Sequence, residues 1–182
     1  AEADVVGGLA GAIPALLSAH RRYPSDGLLD AALRLGDAVL AGARQGEAGT
    51  SWGSAAAPSA YHLTGFAHGA AGIAHALLEL HAATGEARFR TAADGAFRYE
   101  RHWFSAEHAN WPDLREYDGA PGGAGPSYAL GWCHGAPGIG LARARAFELL
   151  GDPVLRDEAE TAARTTAGAF PQLAAPPYGN FS

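Results

Sequence analysis

The 182 residues carry 19 acidic and 13 basic side chains, a net charge of −6 with histidine neutral. That balance argues against a nucleic-acid partner, which wants a basic face. No apolar run approaches the roughly 18 residues that mark a membrane span, and no charged-then-apolar leader marks export. The single cysteine, Cys133, excludes an internal disulfide and fits a reducing cytoplasm.

In chain order, the first signal is VVGGLAGAI at residues 5–13, with Gly8 and Gly11 preceding an apolar run Ile13-Leu16-Leu17-His20. Spacings of three and four put these side chains on one helical stripe. The stretch Tyr23-Pro24-Ser25-Asp26-Gly27 reads as a turn, and residues 28–43 as a second amphipathic helix. The pattern returns at residues 65–73 as GFAHGAAGI, followed by Ile73-Leu77-Leu78-His81, a turn at Thr84-Gly85-Glu86 and a helix over 89–104. After a long loop it returns again as GWCHGAPGI at residues 131–139. The run Ile139-Ala142-Ala146-Leu149 follows, then Gly151-Asp152-Pro153 and a helix over 155–166. Asp152 takes an N-cap slot and Pro153 the first helical position.

Gly11, Gly72 and Gly138 lie 61 and 66 residues apart, so the unit is a Gly-rich loop, a helix, a short turn, a second helix and a long loop, three times over. β-branched alternation is nearly absent, and the fold class is all-α. The motif glycines read first as close-packing positions at helix starts and only second as anion cradles. Cys133 lies between Gly131 and Gly135 at a helix start, where a thiolate is favoured. A buried, inert thiol is the alternative. His20 and His81 fall at equivalent places late on their helices, which favours a structural role. His62, His75, His102 and His108 show no partner spacing and read as surface or packing residues. Trp52, Trp103 and Trp111 read as packing anchors.

GFAHGAAGI followed by WCHGAPGIGLAR resembles the lanthionine synthetase C-like family. The WCHGAPG form is closer to the cyclase domains of the large fused lanthipeptide synthetases than to the free-standing cyclases. DVVGGLAGAI, residues 4–13, resembles the family's earlier motif, in which an Asp precedes the glycine pair. The resemblance implies a bacterial cytoplasmic cyclase domain over residues 1–182, with repeats at about 4–44, 62–104 and 130–167. These would be three helical hairpins of a six- or seven-hairpin α/α toroid, a partial α/α toroid. It implies a Zn2+ ion held by two Cys and one His, with the fourth position left for a substrate thiol. That thiol adds to a dehydroalanine or dehydrobutyrine of a dehydrated precursor peptide and closes a lanthionine or methyllanthionine ring.

Carried onto this chain, the resemblance makes Cys133 the first zinc ligand, His68 the general acid or base, and Asp4 the acid that orients or assists it. His134 stands beside the metal position and would contact substrate or support the site, and Trp132 would wall it. Two positions depart from the free-standing cyclases: Ala129 stands where they carry Arg, and His134 where they carry Tyr, although His is normal in the fused enzymes. The remaining Cys-His ligands of a later motif are absent, because Cys133 is the only Cys. The tail PPYGNFS would suit the stretch just before that motif, so the chain is expected to be a piece of a longer protein with further domains.

Three other readings are weighed beside this one. α/α-toroid glycoside hydrolases need two flanking carboxylates, and Asp113, Glu116 and Asp118 all fall in one segment. Zinc prenyltransferases lack the repeated HGxxGI. A non-catalytic binding or scaffold module of the same family is the third.

Overall fold

A computed structural model describes residues 2–55 and 59–173; the tail singled out above lies outside them. Six helices form three hairpins: α1 (Leu9–Arg22) with α2 (Asp26–Ala41), α3 (Ala70–Thr84) with α4 (Ala87–Trp103), and α5 (Ala136–Leu150) with α6 (Pro153–Leu173). Within each hairpin the two helices pack together, and α3 also packs on both α1 and α5. This row of inner helices backed by outer ones is a partial α/α toroid. The position of α3 explains its composition. It buries residues on nearly every side, including Ile73, Leu77, Leu78 and Leu80, whereas α1 buries only a stripe at Ala10, Ile13 and Leu17.

The motif glycines do the same work in each hairpin. A Cβ on Gly11 would stand 2.0 Å from the Val5 carbonyl oxygen. On Gly72 it would stand 2.0 Å from that of Phe66, and on Gly138 2.0 Å from that of Trp132. The loop before each helix therefore folds back onto the first helical turn, which only a residue without Cβ permits. The helices begin two residues before these glycines, at Leu9, Ala70 and Ala136, so each glycine lies inside the first turn and does not precede it. The fold-back satisfies helix N-terminal donors with loop carbonyls. Leu9 N donates to Glu2 O (2.9 Å) and Gly11 N to Asp4 O (3.3 Å); Ala70 N donates to Leu63 O (3.1 Å) and Gly72 N to Gly65 O (3.4 Å). In the third hairpin the Asn110 side chain takes part of this role, its Oδ1 accepting from Ala136 N at 2.7 Å.

The turns follow the sequence reading. Gly85 and Gly151 close α3 and α5 in the left-handed conformation. Asp152 Oδ1 accepts from Val154 N at the start of α6 (2.9 Å). His20 Nδ1 lies 2.9 Å from the Ser25 carbonyl oxygen and His81 Nδ1 3.1 Å from that of Glu86, so the equivalent histidines close equivalent turns.

One element has no counterpart in the sequence expectation. Strands β1 (Arg44–Gly46) and β2 (Gly49–Ser51) form a small antiparallel hairpin between the first two repeats, with β2 fully buried against α4. Its seat is a notch at Gly95, where a Cβ would meet Thr50 Oγ1 at 2.0 Å. Three-residue strands are too short to leave an alternation pattern.

Gly72→Ala is expected to destabilise the fold by about 1–3 kcal/mol, as overpacking against backbone does. Gly168→Ala, at an exposed α6 position with open space around it, is expected to stabilise it by about 0.5–1 kcal/mol. Urea unfolding midpoints of the two variants test the contrast.

Candidate functional site

The loops that precede α1, α3 and α5 meet at one rim, joined by backbone hydrogen bonds. Val5 N donates to Ala67 O (3.0 Å), and Cys133 O accepts from both Phe66 N (3.1 Å) and Ala67 N (3.3 Å). Gly65 makes the second junction possible. Its φ is +100°, and a Cβ there would lie 2.6 Å from Cys133 O.

Asp4 and His68, 64 residues apart in sequence, come into direct contact on this rim. His68 Nδ1 lies 2.5 Å from Asp4 Oδ2, while Asp4 Oδ1 accepts from Gly7 N at 2.9 Å. Asp4 is 2% exposed and His68 about a quarter exposed. A carboxylate held by two donors fixes the tautomer of its histidine: Nδ1 carries the proton and Nε2 is left with a free lone pair.

The His134 ring lies nearly parallel to that of His68, with centroids 6.3 Å apart. His134 is buried, and its Nδ1 has no hydrogen-bond partner among the described residues; Asp113 Oδ1 is 4.0 Å away. Burial lowers the His134 pKa and Arg115 and His68 add to the effect, with Asp113 opposing them. Asp113 is held by Arg115, whose Nη2 donates to Oδ2 (2.6 Å) and whose backbone N donates to Oδ1 (3.1 Å). Burial would raise the Asp113 carboxyl, but these bonds and the Arg115 charge hold it below the usual carboxylate range. The Asp113 carboxylate is thus committed to a salt bridge, which weakens the glycosidase reading. The Cys133 thiol is exposed, and Trp132 beside it is about half exposed with its ring against Phe66, centroids 5.4 Å apart. Of the five residues singled out in the sequence, Asp4, His68 and His134 form one cluster. Cys133 joins it through its carbonyl, and Trp132 stands at its edge.

A family model described as lanthionine synthetase C-like protein matches residues 1–169. The chain belongs to that family. No curated protein matches it. The lanthionine synthetase C-like resemblance implies zinc, and the residues present do not make a zinc site on their own. Among the described residues no three His, Cys, Asp or Glu side chains converge as a metal-holding group. Cys133 is the one thiol in the sequence, and without two further converging donors it falls short of the three protein ligands that catalytic zinc uses.

Four positions that hold this rim in place were not singled out. Asn110 bridges the two sides of the Cys133 loop, its Nδ2 donating to Ala129 O (3.1 Å) and its Oδ1 accepting from Ala136 N. Arg115 anchors Asp113. Glu100 and Arg143 are charged residues on buried faces, at Phe97-Glu100 and Ala142-Arg143-Ala146, and a charge inside an apolar stripe is the signal that marks them.

Two measurements test the site's electrostatics. In 15N spectra His68 is expected to show a protonated Nδ1 that Asp4→Asn shifts toward the Nε2–H form. Stability should also fall with pH. The pKa of His75 is lowered, mainly by burial, and that of His62 by burial and Arg44. With His134 they take up protons at lower pH in the folded chain than in the unfolded chain, which does so below about pH 6.5. The melting temperature is therefore expected to drop from pH 7.5 to 5.5, and less steeply in His75→Leu.

Proposed function

We propose that this rim is the reacting site of a lanthipeptide cyclase domain, which adds a peptide cysteine thiol across a dehydroalanine or dehydrobutyrine of the precursor. The observation that carries the reading is the Asp4–His68 pair, a histidine oriented by a buried carboxylate beside the exposed Cys133 of a family motif. Adding a thiol across a C=C bond needs one proton removed from sulfur and one delivered to the α-carbon. His68 Nε2 takes the thiol proton as the S–Cβ bond forms and the C=C electron pair moves to the α-carbon and its carbonyl. The imidazolium, held by Asp4, returns the proton to the α-carbon, so atoms and charge balance. Trp132 and Phe66 supply an apolar wall for the peptide.

Zinc belongs to this proposal only together with ligands that these 182 residues do not provide, and no step above depends on it. A second reading is a module of this family that binds the dehydrated peptide without closing rings.

Ring closure leaves the peptide's mass unchanged, so the assay counts thiols that remain open to alkylation. In the full-length gene product, His68→Asn is expected to slow their disappearance by about 100-fold or more, with Asp4→Asn also slowed. Unchanged closure in His68→Asn would overturn the role of the pair. Peptide binding with no closure in the wild type would favour the second reading. The 182 residues alone are expected to hold far less than one zinc per chain after dialysis against a mild chelator.

A further inference from the structure

Behind the rim lies a buried ion network that the chemistry above does not use. Arg143 of α5 and Glu100 of α4 are both 0% exposed, and Arg143 Nη2 donates to Glu100 Oε2 at 2.9 Å. Arg143 Nε donates to Glu158 Oε2 of α6 at 2.6 Å, and its guanidinium lies 4.2 Å from the Phe97 ring centroid. Glu158 also pairs with Arg101 of α4. Three helices therefore fix the Glu100 carboxylate, and its second oxygen does not stay among them. Oε1 accepts the backbone N–H of Gly65, at 3.0 Å, in the loop that leads to His68.

Buried ion pairs are poor sources of net stability, because desolvation offsets their attraction and apolar replacements are often as stable. What this one supplies is direction. Gly65 is held at positive φ against Cys133 O, outside any helix or strand. Its buried N–H would be costly without an acceptor. The next two residues, Phe66 and Ala67, are those that bond Cys133 O, and His68 follows directly. We propose that Glu100, held by Arg143 and Glu158, is a positioning residue that fixes the Gly65–His68 loop against the Cys133 loop.

The proposal rests on the reading of His68 and Cys133 as the reacting site, but its test needs no substrate, so either can fail without the other. Amide hydrogen exchange reads the junction directly. In the wild type Gly65, Phe66 and Ala67 should be protected by at least about 100-fold over an unstructured chain, as paired buried amides are; protection below about tenfold at Gly65 overturns the proposal. Glu100→Gln keeps an acceptor and should retain protection at all three within about threefold. Glu100→Leu removes it and should lose at least about tenfold there beyond any change at Leu77 and Leu78 of α3. The double variant Glu100→Leu/Arg143→Met removes both buried charges and reads the same amides if Glu100→Leu does not fold. Loss spread evenly over α3 and the loop, or equal loss in the Gln variant, would show a merely structural role and overturn it.

Discussion

The rim stands or falls with one backbone seam, in which the carbonyls of Ala67 and Cys133 accept N–H groups from the loop of the preceding hairpin. Every element of the candidate site hangs from it. The seam requires loops to approach closer than a Cβ permits, so Gly65, Gly72 and Gly138 are needed where the chain crosses. It also requires the helices behind to start at the same level, which the fold-back of each loop onto its first turn enforces. Asp4 and His68 then meet without any element that brings them together directly.

The same dependence explains what could be read in the residues. A glycine needed at a fixed place in each repeat leaves a mark at a fixed spacing, so the three hairpins, their turns and the common rim were legible. His20 and His81 were legible for the same reason. The β-hairpin was not, because its seat is a missing Cβ at Gly95, whose only sequence trace is a glycine in a helix. Asn110 and Arg115 sit in irregular loops, where nothing periodic predicts a partner. Glu100 and Arg143 did leave a trace, as charges on apolar stripes, but a stripe names no partner; the ion pair joins residues 43 apart in sequence.

Chemistry and scaffold are divided differently across the three loops. The Asp4–His68 pair is complete in itself: the carboxylate is buried, satisfied by Gly7, and aimed at one ring nitrogen. Cys133 offers the rim two things that need not coincide, a carbonyl buried in the seam and a thiol facing outward. The carbonyl is committed to structure, and the thiol is exposed. His134, with a buried Nδ1 and a pKa lowered mainly by burial, lies with its ring beside that of His68.

Because the seam is made by main-chain atoms, most side chains at equivalent places in the loops take no part in its hydrogen bonds. Val6, Ala67 and Cys133 occupy one such place and Gly7, His68 and His134 another, whereas at the place of Asp4, Gly65 and Gly131 the seam itself requires Gly65. A repeated unit can thus keep its architecture while its copies differ in their side chains, with a carboxylate in one, an imidazole in the next and a thiol in the last. Division of labour among copies is then a matter of single substitutions, made without renegotiating how the copies fit together.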